Sequence, residues 1–245
     1  MTAIKEFKKY TFNVLNKVWD NGCEDIVKAG EKVADSLEND GVIHTFGTGH
    51  SHLIAEEIFY RAGGLAPVNA MLEPSLTGHQ HVTKSEYTER MEGWGEIILD
   101  YHNPQKNDIL IVISNSGRNA APVEVAREGQ KRDLPVIAIV SRNYCENIPS
   151  RHTSGKKLID YADIIIDNQT ELGDADVNLE GLDVPVGPTS NISAMFIIHS
   201  IVITAIEELL ERDIEPPVFL SGNLDRGREH NDKLIEKYKD RINSW

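Results

Sequence analysis

The sequence predicts a doubly wound α/β fold, a five-stranded parallel sheet covered by helices on both faces, on three observations. Short apolar runs recur from residue 41 onward: VIHTF (42 to 46), LAPVNAML (65 to 72), DILIVI (108 to 113), PVIAIV (135 to 140) and DIIID (163 to 167). They are continuous rather than alternating, as strands buried on both faces are. They are followed by Gly- or Ser-rich turns and then helical segments rather than by hairpins, which calls for parallel strands and right-handed crossovers. Five such strands make the flavodoxin-like arrangement.

Ahead of the first strand, residues 3 to 39 carry two helical patterns, Ile4-Phe7-Phe12-Val14-Leu15-Val18 and Ile26-Val27-Val33-Leu37. The Asp20-Asn21-Gly22 interruption between them predicts an N-terminal helical hairpin over residues 1–40, packed on a main domain at 41–212. The segment from Ser190 to Arg212 is apolar nearly all round, so it must be covered by the sheet and hairpin or by a second subunit. A homo-oligomer, dimer or tetramer, with this helix near the interface is therefore expected. The tail, 213–245, begins after Pro216-Pro217 and ends in a polar helix, Leu224 to Ile242.

The 245 residues carry 39 acidic and 25 basic side chains, a formal net charge of −14. Little basic surface is left for a nucleic-acid backbone or an anionic bilayer, which excludes both as main partners. An anionic ligand must instead be held by backbone amides and hydroxyls against an unfavourable overall field. The N-terminal stretch has no apolar signal region, and the apolar run from Ile192 to Ile206 is broken by Ser193, His199, Ser200 and Thr204, so a cytoplasmic protein without a membrane span is expected. Cys23 and Cys145 stand in no metal or redox spacing and are read as free thiols. No cofactor and no metal are called for.

Open parallel sheets bind ligands beyond the carboxyl ends of their strands, and two loops there are rich in small hydroxylic residues. The first is Phe46-Gly47-Thr48-Gly49-His50-Ser51. Gly47 and Gly49 let backbone amides approach a ligand, and Ser51 is placed to cap the next helix. The dinucleotide fingerprint is absent, since His52 stands where its third glycine belongs, and no Walker lysine follows. The second loop is Ser114-Asn115-Ser116-Gly117-Arg118-Asn119, ahead of a helix beginning near Ala120. Ser114, Ser116 and Asn119 offer side-chain hydrogen bonds, and Gly117 lets successive amides and the helix dipole face one anion.

A strand-Ser-x-Ser-Gly-helix unit preceded about 65 residues earlier by strand-Gly-x-Gly-x-Ser-helix resembles the SIS (sugar isomerase) domain, over roughly residues 35 to 212. That domain is shared by phosphoheptose isomerases, arabinose-5-phosphate isomerases, glucosamine-6-phosphate synthase and N-acetylmuramic acid 6-phosphate etherases. The resemblance implies a small-molecule phosphosugar ligand, its phosphate on Ser114, Ser116 and Asn119, with Gly47, Thr48, Gly49, His50, Asn115 and Gly117 shaping the site and Ser51 and Ser190 closing over the sugar. It implies an aldose-ketose isomerase, with an etherase-type lyase or a non-catalytic phosphosugar sensor as alternatives.

Isomerisation needs a base that moves a proton between neighbouring carbons and a group that opens the ring, for which a carboxylate and a histidine are the natural pair. Glu73 follows the second strand, and His199 lies on a helical stripe with Ile192, Met195, Val202 and Ile206. By resemblance, His199 matches a catalytic, metal-binding histidine of phosphoheptose isomerases, and Asn191 falls where those enzymes have a ligating glutamine. Departures accompany these matches. The family's working glutamate, ten residues beyond Ser51, is Arg61 here, and the zinc histidine falls on Glu57. Met91-Glu92-Gly93 resembles an etherase segment, which makes Glu92 a further carboxylate candidate. His79 and His81 lack a third metal ligand and are read as a solvated loop. The acidic stretch Glu171, Asp174, Asp176, Glu180, Asp183 is read as a solvated lid.

Overall fold

The computed structural model describes residues 2–79, 81–225 and 227–245. Helix α1 spans Thr2–Glu38 without interruption, so the turn expected at Asp20-Asn21-Gly22 does not form. Its buried residues, Val14, Val18, Gly22, Ile26, Ala29, Gly30, Val33 and Ala34, stay in phase across that point. A helix whose apolar stripe is continuous gains more from packing than the roughly 1 kcal/mol that one interior glycine costs.

The remaining elements follow in order: β1 (Ile43–Gly47), α2 (His52–Glu57), β2 (Val68–Met71), α3 (Val82–Thr88), α4 (Trp94–His102), β3 (Ile109–Ile113), α5 (Ala120–Lys131), β4 (Val136–Val140), α6 (Arg142–Asn147), β5 (Ile164–Asp167), β6 (Ala175–Val177), β7 (Val186–Pro188), α7 (Ser190–Glu211) and α8 (Gly227–Tyr238). Strands β1 to β5 form one sheet in the order β2-β1-β3-β4-β5, all parallel. The fold is thus the doubly wound one that the apolar runs predict, β2 to β5 falling inside their runs and β1 ending one residue past its own, at Gly47. The helix after the first loop, α2, stops at Glu57, and the chain turns at Tyr60, which takes φ +47°.

The core has a layer on each face of the sheet. Helices α1 and α7 cover one face, where Val18, Ile26 and Val33 of α1 meet Ile197, Ile201 and Leu209 of α7 and the inward side chains of the strands. Their close approach is set by Gly30, where an added Cβ would lie 2.4 Å from the Cβ of Thr204. α4 and α5 cover the other face with Ile98, Leu99, Ala121 and Val125. α7 is long and apolar enough to cross a membrane by length and composition; here its inner side is sheathed by α1 and the sheet. The acidic segment folds into the antiparallel pair β6-β7, which packs back on α1 where Gly187 meets the ring of Phe7. The tail returns to the sheet through a bridge between Leu65 and Val218 and buries Phe219, Tyr238 and Ile242 against Val42 and Ala66.

Below this edge the sheet holds a buried polar array. The ring of His44 bonds Asp108 through Nε2 at 2.9 Å. Because a carboxylate only accepts, His44 carries its proton there and takes the Asn69 amide on Nδ1, at 3.0 Å. Asn69 Nδ2 also reaches His102 Nδ1 at 3.1 Å, and Arg241 closes the array on Asp108 at 2.6 Å. Burial works against the Asp108 carboxylate, but His44 and the amides of Gln105 and Val42 hold its pKa below the usual range. Burial, with His44 alongside, pulls His102 down to about 4.

Candidate functional site

The carboxyl ends of β1 and β3 lie side by side, Gly47 opposite Ile113. The chain leaves β1 toward one side of the sheet and β3 toward the other, so their loops flank the switch point at which such sheets bind ligands. After β3, Gly117 takes φ +59°, with its Cα facing Cys145 so closely that a Cβ would sit 2.9 Å from Sγ. The Gly117 amide turns inward to the Ser114 carbonyl at 3.2 Å and its hydroxyl at 3.1 Å. Among the described residues the amides of Ser116, Arg118 and Asn119 donate to no backbone acceptor outside regular elements. They surround the amino end of α5, where the helix dipole favours an anion.

Asn115 and Asn119 brace this turn from its two sides. Asn115 Oδ1 accepts from Asn168 at 2.8 Å and from Thr170 at 3.1 Å, while its carbonyl accepts the Ser141 amide at 2.9 Å. Its side chain is therefore committed to the segment that follows β5. Asn119 occupies the helix cap position without a capping bond from its side chain. Its Nδ2 donates to Glu89 at 2.7 Å, and its Oδ1 accepts from Arg151 at 2.9 Å.

In the loop after β1, Gly47 is pressed so close to the Ser51 carbonyl that a Cβ would stand 2.5 Å away, and Gly49 takes φ +52°. Thr48 is buried, and its hydroxyl favours the charged form of the Glu89 carboxylate. Ser51 stands at the cap position of α2 but makes no capping bond with its side chain, its backbone already being helical at φ −65°, ψ −19°; the expected cap is absent. His50 is exposed, and its carbonyl accepts from Asn191 at 3.3 Å. Ser190 is tied to Asp174 by its amide at 2.8 Å and its hydroxyl at 2.6 Å, so the acidic segment is anchored to the start of α7.

The acid-base candidates fall in separate places. Glu73 lines a cleft of about 480 Å³ with Trp94, Tyr101 and His102, on the α4 side of the sheet edge, and burial raises its pKa. His199 bonds Glu57 at 3.0 Å, and Glu57 pairs with Arg61 at 2.8 Å. This ion-paired trio shares no partner with Glu73. Glu92 accepts from the amide and hydroxyl of Thr153 at 2.7 and 2.8 Å, which lowers its pKa and fixes the 150–155 loop. With Glu124 and His152 it forms a compact group of ligand-type atoms, in which Arg127 reaches Glu124 at 3.4 Å. His79 and His81 are spent on Thr77 and on the Lys84 amide respectively.

Two residues of the cradle's surroundings escaped the sequence reading. Glu89 and His52 line one cleft of about 670 Å³ together with Gly49, Thr77 and His79. Burial raises the pKa of Glu89, against the pull of Thr48 and of Arg90 and Arg151. The His52 ring bonds the Gly49 carbonyl through Nδ1. A carbonyl only accepts, so Nδ1 carries a proton. Neither residue stands in a motif. Glu89 is brought in by packing, its own carbonyl accepting the Ala121 amide at 3.1 Å at the start of α5.

A doubly wound α/β domain with an amide- and hydroxyl-lined anion cradle at its switch point is the class that this fold and site define. The chain belongs to the SIS domain family, whose model matches residues 6–141. It is 41% identical over 239 residues to the UPF0309 protein lin2794 of Listeria innocua, covering 98% of this chain and 97% of that one. It is 44% identical over 220 residues to the UPF0309 protein BH0227 of Halalkalibacterium halodurans, covering 89% and 88%. Among solved structures it resembles a phosphoheptose isomerase from Francisella tularensis, with a TM-score of 0.56 at 16% identity over 83% of this chain and 96% of that one. It also resembles the Vibrio vulnificus NanR protein complexed with ManNAc-6P, with a TM-score of 0.54 at 13% identity over 95% of this chain and 69% of that one. At such identities the likeness is one of fold.

Proposed function

We propose that this chain binds a sugar phosphate, with the phosphate on the Ser114 to Asn119 turn and the sugar extending toward the Gly47 to Ser51 loop, and that it interconverts aldose and ketose forms. The carrying observation is the turn itself, whose Ser116, Arg118 and Asn119 amides, just ahead of α5, donate to no backbone acceptor outside regular elements among the described residues. The solved relatives include a phosphoheptose isomerase and a regulator complexed with a phosphorylated amino sugar, which supports the same ligand class. In this reading Glu89 removes the proton next to the carbonyl, its raised pKa making it a stronger base than an exposed carboxylate. His52, whose ring lies on the same cleft with Nδ1 held by the Gly49 carbonyl, assists ring opening. Glu73 and His199, the pair favoured by sequence, act in this scheme only if a ligand or a second subunit brings them to the cleft. A homo-oligomer follows from the outer side of α7, where Ile192, Phe196 and Ile203 are exposed. A cytoplasmic location accords with the two unpaired thiols.

The experiment is incubation with aldose and ketose phosphates in heavy water. Deuterium should appear at carbon 1 or 2, and should be lost in Glu89→Gln; no exchange with any of them refutes the isomerase. A second reading, a non-catalytic phosphosugar sensor, is favoured by one observation: Arg61 and His199 both pair with Glu57 where family enzymes place working groups. Thermal stabilisation by a phosphosugar without exchange would select it. Loss of stabilisation in Ser116→Ala is expected under either reading, and its retention would refute the cradle.

A further inference from the structure

The chain has a net charge of −14, yet three arginines converge on the rim of the cradle. Arg118 follows Gly117 directly. The Arg151 amide donates to the Arg118 carbonyl at 2.9 Å, and its guanidinium reaches Asn119. Arg90 adjoins Glu89, which holds the other end of the Asn119 amide. Among the described residues none of the three forms an ion pair, whereas Arg61, Arg127, Arg132, Arg212 and Arg241 all do. Arg118 Nε is buried and without a hydrogen-bond partner. Burial, and then the charges of Arg151 and Arg90, lower its proton affinity. Three cations lie near one another with the Glu89 carboxylate beside Arg90 and Arg151, which leaves a surplus of positive charge that an anion between them relieves.

The turn can hold a phosphoryl group without them. A phosphate monoester presents three terminal oxygens, and the Ser116, Arg118 and Asn119 amides with the Ser116 hydroxyl supply donors for all three. The arginines are therefore surplus to one phosphate, and they come from three separate segments, not from the turn alone. We propose that the ligand is a phosphosugar carrying a second anionic group, a carboxylate or a second phosphoryl, which Arg90, Arg118 and Arg151 bind at the rim. The proposal rests on the phosphosugar reading above and narrows its substrate class to doubly anionic sugars.

Calorimetric titration of the whole chain with matched probes tests it: glucose 6-phosphate against 6-phosphogluconate, and fructose 6-phosphate against fructose 1,6-bisphosphate. Each doubly anionic probe should bind about tenfold or more tighter than its partner, with a steeper loss on adding salt. In Arg90→Gln, at an exposed position, that ratio should fall toward one while the singly anionic probes change less than about twofold, and Arg118→Gln and Arg151→Gln should weaken the doubly anionic probes more than the singly anionic ones. Equal affinity within each pair, an equal loss for both members in the variants, or no binding by either doubly anionic probe overturns the second-anion assignment. Ser116→Ala distinguishes the two levels. If it weakens the singly anionic probes while the pairs remain equal, the phosphate cradle stands and only the second anion is lost.

Discussion

Gly117→Ala tests the cradle at the position where the backbone allows least. Two costs add. A residue with a Cβ held at φ +59° loses about 1 kcal/mol or slightly more in the left-handed region. The new methyl would also stand 2.9 Å from Cys145 Sγ, with Leu158 and Val140 at 3.5 and 3.6 Å behind it. Cys145 is fully buried and cannot swing into solvent, so overpacking adds about 1–3 kcal/mol. Together the variant should lose roughly 2–4 kcal/mol, measured as the shift in urea midpoint at unchanged slope. Cys145→Ala removes the atom in the way but leaves the backbone strain. The double variant should therefore be about 1 kcal/mol or more stabler than the sum of the single losses predicts. Phosphosugar stabilisation should be weakened in Gly117→Ala and not restored in the double variant, because the turn's amides remain misdirected. A Gly117→Ala protein as stable as the native one, or strict additivity in the cycle, would refute this account of the turn.

Two further outcomes follow from packing and charge away from the cradle. His102 has a folded pKa of about 4 against an ordinary 6.5, so between these values the unfolded chain takes up a proton that the folded chain refuses. Stability should fall by about 3 kcal/mol as pH drops from 6.5 to 4, and a His102→Gln variant should lack that part of the slope in urea titrations; an unchanged slope would disprove it. Gly30→Ala gains about 1 kcal/mol of helix propensity but drives a methyl to 2.4 Å from Thr204. A net loss of about 1–2 kcal/mol is expected, recovered in Gly30→Ala/Thr204→Ala; a stabilised single variant would show that α1 and α7 can separate freely.

The parts of the molecule legible in sequence were those governed by local rules. Strands buried on both faces write themselves as continuous apolar runs, and loops that receive an anion need glycines and hydroxyls at fixed offsets, so β1, β3 and their two turns could be placed. The hairpin expected at Asp20-Asn21-Gly22 failed because the local turn signal was weighed above the continuous phase of Val14, Val18, Ile26 and Val33. The site's wider surroundings were illegible for a different reason. Glu89, Asn119 and Arg151 are joined by two hydrogen bonds across segments far apart in sequence, and no periodicity records such a meeting. Ser190 illustrates the same limit: its position at the start of the apolar helix could be read, but its bond to Asp174 belongs to the folded hairpin alone.

The bracing of Asn115 by Asn168, Thr170 and Ser141 bears on how a ligand would be met. A loop that must organise itself on binding spends part of its interaction energy on lost freedom, on the order of 0.5–1.5 kcal/mol for each side chain it immobilises. Here the turn's conformation is already fixed by bonds from the residues just beyond β4 and β5, which leave the Ser116, Arg118 and Asn119 amides uncommitted. Encounter then resembles the filling of a rigid socket, in which recognition is quick, affinity changes show in the rate of departure, and a ligand of the wrong shape finds no loop willing to adjust to it.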